Sequence, residues 1–371
     1  MAGTFAVLGL GTAVWGARLP AVQAAAHAGA GQLGLVLLGA AAGAVTGLKV
    51  GGRLADTHGP SRLLIGPAVA LGFTLVLLGQ CRALPSLIVG AMLFGLANGL
   101  LDIAMNSAAV NCERAFRRPI MGSFHAAYSG GGLCGALLAA TTTWIPHTLL
   151  FATVGMLTVL AAIAAVPSVR RAGCLDEALE STEVTARRSP ASFPRAAVWL
   201  LGAMAAAVLL GEGAAADWAA VHLTDLDASQ AVAAAAFAVY SAAMAAGRLC
   251  ADRLITRYGA PAVVRAGTGL AAAGLGVGLA VGTVPAALVG WMVLGLGLST
   301  AFPCMITAAG RAGPGAVSTV AAAGNLGKLT GPAAIGALAA PTSLPAALAL
   351  PVVLAAAVAL ASHRALRSSW Q

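Results

Sequence analysis

The sequence predicts an all-α membrane protein, with twelve transmembrane helices in two pseudo-symmetric six-helix bundles. Three observations indicate this class. Apolar residues make up 59% of the 371 residues and charged residues only 9%, whereas about 25% of a soluble protein is charged. Apolar runs of membrane-crossing length recur along the whole chain, and a short glycine and aspartate motif occurs twice. A soluble fold would lack the charge to cover its surface, so this surface must face lipid.

The spans follow from the length of each apolar run, because about 20 helical residues cross the hydrocarbon core. The runs lie near 3–24, 31–54, 62–82, 86–110, 121–144, 147–167, 196–217, 229–250, 261–282, 285–309, 315–339 and 344–362. A polar stretch at 168–195 separates the first six spans from the last six. We therefore expect an N-terminal bundle at 1–167, a cytoplasmic linker at 168–195, a C-terminal bundle at 196–362 and a cytoplasmic tail at 363–371.

The basic residues predict the orientation. If the N-terminus is cytoplasmic, nearly all of the 21 lysines and arginines fall on the inner side, including Arg248, which we place in the loop after span 8. Cytoplasmic loops of membrane proteins concentrate these residues. We expect a multi-pass protein of a bacterial inner (plasma) membrane with both termini in the cytoplasm. The net charge of +9 then needs no nucleic-acid partner.

The repeated motif follows span 2 and span 8. Gly51-Gly52-Arg53-Leu54-Ala55-Asp56 precedes Gly59, and Gly247-Arg248-Leu249-Cys250-Ala251-Asp252-Arg253 precedes Gly259. Glycines let two helix ends approach, and an aspartate near a helix end can cap backbone amides or pair with a basic residue. Such a contact could break and reform, which makes Gly52, Asp56, Arg62, Asp252 and Arg253 candidate gating residues. A plain cytoplasmic turn is the alternative.

These residues resemble the major facilitator superfamily, in which each six-helix half carries a loop of the form GxLxDrxGRR between its second and third helices. Gly52, Leu54, Asp56, Gly59 and Arg62 match, whereas Pro60 and Ser61 replace usual basic positions. The stretch 101–106, Leu-Asp-Ile-Ala-Met-Asn, is similar to the acidic-x-x-x-Asn segment of the fucose–proton symporter branch. The segments 15–20 and 123–131 resemble a poorly characterised bacterial group near that branch. The resemblance implies a transporter built of two homologous bundles around a central cavity.

Asp102 is a candidate proton-coupling residue. It lies in an apolar span with Asn98 and Asn106 four residues to either side, so the three side chains share one helix face. A charge at mid-bilayer costs about 3 kcal/mol on insertion scales, so such residues are candidate functional sites. Proton coupling, solute contact and a structural hydrogen bond to a neighbouring helix all remain open for Asp102; Asn98 and Asn106 are candidate solute-binding residues.

Lys328 is the second buried charge, near the middle of span 11 and next to Asn325. A buried ammonium requires a counter-ion or an anionic ligand, and Asp102, Glu212 or a substrate carboxylate could serve. We take Lys328 and Asn325 as candidate solute-binding residues. Glu212 is a candidate for proton coupling, with a place at the outer interface as its alternative.

Two further groups of polar residues leave alternatives open. His125 and Tyr128 belong to a polar stripe on span 5, suited either to a polyhydroxylated ligand or to interhelical hydrogen bonds. Trp15 and Arg18 on span 1 could form an outer gate or anchor the helix at the interface, as tryptophan and arginine often do.

Together the patterns favour a secondary active transporter, not an enzyme, that moves a small solute by alternating access, coupled to protons. Sugar-like uptake is slightly favoured; proton-driven efflux of drug-like compounds, or a membrane-embedded enzyme or sensor, are the alternatives. The Gly-rich segment at 130–135 lacks the strand that a dinucleotide site needs, and Leu329 stands where a phosphate loop needs Ser or Thr. We expect a monomer in the lipid bilayer, with no cofactor and no metal.

Overall fold

The structure, a computed structural model, describes residues 1–27, 30–171 and 194–367. All regular secondary structure in these ranges is helical. In the first half the helices are α1 Ala2–Ala17, α2 Leu19–Ala25, α3 Ala30–His58, α4 Ile65–Gln80, α5 Leu84–Phe116, α6 Met121–Thr141 and α7 His147–Ala164, with a 3₁₀ turn at Ser61–Leu63. In the second half they are α8 Arg195–Asp225, α9 Gln230–Tyr258, α10 Ala260–Val281, α11 Val284–Leu298, α12 Ala301–Gly310, α13 Pro314–Ala339, α14 Leu344–Ala347 and α15 Ala349–Arg367.

The chain divides into two compact units. Unit 1 comprises Met1–Arg117, Ala127–Ser192 and the short segment Ala312–Ser318. Unit 2 comprises Arg118–Ala126, Phe193–Arg311 and Thr319–Gln371. Each unit therefore includes the beginning of a helix whose remainder belongs to the other unit: the first residues of α6 cluster with unit 2, and those of α13 with unit 1.

The helices account for the twelve predicted spans. Eight helical segments of the described chain are long and apolar enough to cross a membrane by length and composition: Leu35–His58, Ser61–Gln80, Leu84–Phe116, His147–Ala164, Arg195–Asp225, Ala260–Val281, Val284–Gly310 and Leu344–Leu366. Helices α1, α6, α9 and α13 occupy the other four spans. Residues 172–193 of the predicted linker and 368–371 of the predicted tail lie outside the described residues.

The segments that follow spans 2 and 8 are helical, not loops. Helix α3 continues to His58 and α9 to Tyr258, so both motif aspartates lie on helices. Each helix stops at a glycine with positive φ, +80° at Gly59 and +78° at Gly259, a backbone conformation that glycine adopts without the steric cost of a Cβ. The loop position predicted for Arg248 is wrong, because this residue lies inside α9 and is only 6% exposed.

Small residues set the packing within unit 1. A Cβ added at Gly43 of α3 would overlap the carbonyl oxygen of Met92, and one added at Gly95 of α5 would overlap that of Ala40. In lipid there is no hydrophobic drive between helices, so close backbone approach through small residues supplies the contact energy. The glycines of α3 and α5 are therefore structural, and they hold the helix that carries Asp102.

Candidate functional site

Unit 2 contains a cluster of charged side chains within its helices. The Arg248 Nη2 of α9 donates to the Glu212 Oε1 of α8 at 3.1 Å, and both side chains are nearly buried. The Lys328 Nζ of α13 lies 4.0 Å from the other carboxylate oxygen, and 46% of its side chain is exposed. One carboxylate thus faces two cations, one held closely and one loosely.

The packing of α8 against α13 positions Lys328 beside Glu212. A Cβ at Gly213, the residue after Glu212, would overlap the Lys328 carbonyl oxygen. A Cβ at Gly327, the residue before Lys328, would overlap the carbonyl oxygen of Ala206. Because the backbones touch at these glycines, the two charged side chains are placed by rigid helix contacts and not by a loop.

Aromatic and ring residues surround the cluster within unit 2. Tyr240 is 3% exposed, stacks on Phe237 at 5.9 Å between ring centroids, and interacts electrostatically with Glu212 and Arg248. His125 is 6% exposed and packs edge-on against Phe302, with centroids 5.7 Å apart. His125 also interacts electrostatically with Arg248. The histidine therefore belongs to the surroundings of the Glu212–Arg248 pair.

In unit 1, Asp102 is held by its own helix. The Asn106 Nδ2 donates to the Asp102 Oδ1 and to the Asp102 carbonyl oxygen, both at 2.9 Å. Asn106 is fully buried, and its Oδ1 has no hydrogen-bond partner among the described residues. Asp102 and Asn98 are half-buried. The Asn106 amide therefore donates directly to the Asp102 carboxylate, and Asp102 is more exposed than Asn106.

The two motif aspartates each bind the beginning of a helix. The Asp252 carboxylate accepts hydrogen bonds from the backbone N–H groups of Gly122 and Ser123, both at 3.0 Å, and from the Ser123 hydroxyl. The Asp56 Oδ1 accepts one from the backbone N–H of Gly315 at 3.2 Å. The first N–H groups of a helix have no intrahelical partner and carry a partial positive charge, so a carboxylate is stabilised there.

The neighbours of these contacts are tightly packed. A Cβ at Gly52 would approach the side chain of Ser318, whose hydroxyl donates to the Leu48 carbonyl at 2.6 Å. Arg62 is exposed on the 3₁₀ turn, and Arg253 is exposed on α9.

Trp15 and Arg18 stabilise the end of α1. Trp15 is 7% exposed and packs against Phe94 and Phe151, with ring centroids 5.9 and 6.2 Å apart. Arg18 is 8% exposed and donates to the carbonyl and hydroxyl oxygens of Thr142, just after the end of α6. A cation at a helix C-terminus complements the helix dipole. Trp15 thus lies in an aromatic cluster within unit 1.

The remaining predicted residues are placed as follows. Tyr128 is half-buried on α6 in unit 1, and Asn325 is half-buried on α13 in unit 2, where its Nδ2 donates to the Ala321 carbonyl at 3.0 Å. Of the counter-ions considered for Lys328, the structure pairs it with Glu212; Asp102 belongs to unit 1. Sequence reasoning missed Arg248, although its place within the predicted span 8 was a signal against a loop.

Comparisons with known proteins give the family. The chain is 32% identical to an uncharacterised MFS-type transporter of Yersinia pestis over 348 residues, which cover 92% of this chain and 88% of that protein. It is 32% identical to an uncharacterised transporter of Sinorhizobium fredii over 356 residues, covering 91% of this chain and 90% of that one. No family model matches the chain. Its fold is similar to that of the E. coli fucose:proton symporter, with a TM-score of 0.74, 14% identity, and coverage of 100% of this chain and 97% of the symporter.

Proposed function

This chain belongs to the major facilitator superfamily, and we propose that it takes up a small polar, sugar-like solute together with protons. It is a secondary active transporter and a multi-pass membrane protein. The observation that carries the proton coupling is the Asp102–Asn106 pair, a half-buried carboxylate within a membrane helix that accepts a hydrogen bond from a fully buried amide. Ionisable groups at such depth are costly and are retained for function.

The contacts of Asp102 with Asn106 and of Glu212 with two cations bear on which carboxylate carries the proton. The Asn106 amide is neutral, so it can donate to Asp102 whether the carboxyl group is ionised or protonated. Glu212 has a cation near each oxygen, and protonating it would remove the charge that faces Arg248 and Lys328. Breaking one side of a buried pair is costly. We therefore assign proton binding to Asp102, and to Glu212 the task of holding the two cations.

The solute contacts follow from accessibility. We propose that Asn98, Tyr128, Asn325 and Lys328 touch the solute, because each is half-buried or exposed on a membrane helix. Asn106 and His125 are almost entirely buried, so we propose that they support Asp102 and Arg248 respectively.

The contacts of Asp56 and Asp252 are proposed as the gate. Each aspartate holds the first residues of a helix through backbone N–H groups, and such contacts can be exchanged for water at modest cost. Gly52 lets α3 lie close to Ser318, while Arg62 and Arg253 are exposed and lie close in sequence to Asp56 and Asp252. Alternating access by rocking of two repeats is the general mechanism of such transporters. We propose that Trp15 and Arg18 contribute to gating from the C-terminal end of α1.

We propose an inner-membrane location with both termini in the cytoplasm, and with a monomer as the working unit. The clustering of basic residues described above supports this orientation. Fusions of a cytoplasm-active fluorescent protein and a periplasm-active phosphatase to the C-terminus test this orientation; phosphatase activity would contradict it.

The test of proton coupling uses purified protein in liposomes that contain a pH-sensitive dye. Adding L-fucose, D-xylose and other small sugars in turn should acidify the lumen in the presence of one that is transported. Asp102→Asn should abolish this proton movement. Asp227→Asn is the matched control, because Asp227 is exposed between α8 and α9 at φ 59°, a conformation that asparagine also tolerates. Full proton movement in Asp102→Asn would refute the assignment.

A further inference from the structure

We infer that unit 1 carries a binding site for the phosphate group of an anionic phospholipid, formed by Arg18, Arg82 and His147. These three residues, the basic cluster, lie at the end of the unit where α7 begins. The site is separate from the residues proposed for transport and goes beyond the proposed function. It follows from a buried charge without an acidic partner, a helix terminus without a cap, and a cavity beside Arg18.

Arg18 is a buried charge without an acidic partner. Only 8% of the residue is exposed. Its Nη2 donates to the carbonyl and hydroxyl oxygens of Thr142, and its Nε is buried with no hydrogen-bond partner. No aspartate or glutamate among the described residues forms an ion pair with it. The carbonyl that follows α6 carries only a partial negative charge. Because a buried charge is costly unless it is paired, Arg18 favours an anionic ligand.

The charged neighbours of Arg18 are basic as well. The Arg82 Nη1 lies 3.4 Å from the His147 Nε2, and His147 interacts electrostatically with both arginines. Since consecutive spans alternate in direction, three connections of unit 1 lie at this end. They contain no aspartate or glutamate, and they comprise residues 18–29, 81–83 and 142–146. The connections around the basic cluster therefore supply no counter-ion.

Helix α7 adds a partial positive charge at the same place. It begins at His147, is 18 residues long, and its N-cap residue Pro146 forms no side-chain hydrogen bond with the first turn. The backbone N–H groups of His147 and Thr148 donate to no acceptor among the described residues. Free N–H groups and the helix dipole together make a helix N-terminus a site for phosphate. The uncapped terminus and Arg18 therefore favour the same class of ligand.

The surroundings indicate that the phosphate belongs to a lipid. A cavity of about 300 Å³ lies beside Arg18, and its other lining residues are Thr143 and five alanines of α1, α2 and α6. Trp144, just before α7, is 79% exposed, and exposed tryptophan favours the headgroup level of a bilayer. A methyl-lined space at this level suits the glycerol and first methylene groups of a phospholipid. A free phosphate ion would leave the apolar wall uncovered.

The charge of the basic cluster also selects among lipids. Phosphatidylethanolamine carries an ammonium group beside its phosphate, and the described part of the chain offers this ammonium no acidic partner at the cluster. Phosphatidylglycerol carries hydroxyl groups there and keeps a net negative charge. We therefore expect the site to prefer phosphatidylglycerol.

The test uses the purified, delipidated full-length protein in a non-ionic detergent, without solute or gradient. The thermal unfolding midpoint is measured with phosphatidylglycerol, phosphatidylethanolamine or inorganic phosphate at constant ionic strength, and native mass spectrometry counts the bound lipids. Phosphatidylglycerol should raise the midpoint more than phosphatidylethanolamine, and inorganic phosphate should not raise it. Arg18→Gln should weaken half-saturation by phosphatidylglycerol about tenfold or more, because hydrogen bonds to a charged group are lost. Arg82→Gln should weaken it about two- to fivefold, because Arg82 is exposed.

Lys49→Gln is the matched control, because it removes one positive charge from the same unit far from the site. Lys49 is exposed on α3, about 28 Å along the helix from its first residue, and this variant should keep the full response. If Arg18→Gln does not fold, Arg82→Gln and His147→Gln carry the test. No arm of the test depends on the solute or on Asp102, so it is separable from the proposed function. Equal stabilisation by phosphatidylethanolamine or by inorganic phosphate would overturn the inference, as would half-saturation that is unchanged in the cluster variants or equally weakened in Lys49→Gln.

Discussion

Replacing Lys328 by methionine should change the stability in opposite directions in two backgrounds. In the native chain the substitution removes a loose ion pair, with Nζ and Oε2 4.0 Å apart. In the Glu212→Gln background, Lys328 and Arg248 face a neutral amide, so removing the lysine relieves a repulsion between two cations. The substitution should be destabilising in the first case and stabilising in the second.

The magnitude follows from exposure. A pair whose lysine is 46% exposed is screened by solvent, so the loss in the native background is at most about 1 kcal/mol. Glu212→Gln alone should cost more, about 1.5–3 kcal/mol, because it removes the charged acceptor of the Arg248 hydrogen bond in a nearly buried site. Lys328→Met in that background should restore about 1 kcal/mol.

The assay is a double-mutant cycle of thermal or denaturant unfolding in one detergent, with the two single variants, the double variant and the native chain. Such cycles isolate the coupling between two residues in contact. Additive effects, or a further loss of stability in the double variant, would refute the view that Lys328 and Arg248 share the Glu212 carboxylate.

Three further predictions concern other parts of the molecule. Asn106→Leu should lower the rate of solute-driven proton movement in the liposome assay, because the Asp102 carboxylate loses the hydrogen bond that holds it; a native rate would refute this role. Gly43→Val should abolish the folded yield, measured by gel-filtration, because its side chain would overlap a helix backbone, whereas Gly66→Val should be tolerated because nothing lies within 4 Å. Asp252→Ala should lower the unfolding midpoint more than Asp56→Ala, since it loses three hydrogen bonds instead of one; equal shifts would contradict the observed contacts.

The helical spans could be predicted from the sequence because the length of an apolar run is a local property. The helix ends could not be placed as well. The segment from Gly51 to Asp56 reads as a glycine-rich turn, yet helix α3 continues through it and stops only at Gly59. Between Gly52 and Gly59 the chain has residues that favour a helix, such as Leu54 and Ala55. Asp56 at the end of this stretch also accepts a hydrogen bond from Gly315.

The site residues were predicted as individual positions, but their partners were not. The spacing of Asn98, Asp102 and Asn106 indicates that they share one helix face. The exposure of each side chain depends on the neighbouring helices, which the spacing does not give. A basic residue after a glycine suits the cytoplasmic side, so the sequence predicts a loop position for Arg248. Its partner Glu212 is 36 residues away in the chain, and only the packing of α8 against α9 brings the two together.

The most direct test of the central claim compares two modes of transport in one Asp102→Asn preparation. The solute is one that acidifies the lumen in the liposome assay. Its accumulation driven by a pH gradient is measured first, and its counterflow exchange is then measured at equal pH on both sides of the membrane. The proposal predicts that the variant loses accumulation and keeps exchange, because exchange moves solute without net proton transfer. Gradient-driven accumulation at the native level in Asp102→Asn would contradict the role of this carboxylate in proton coupling.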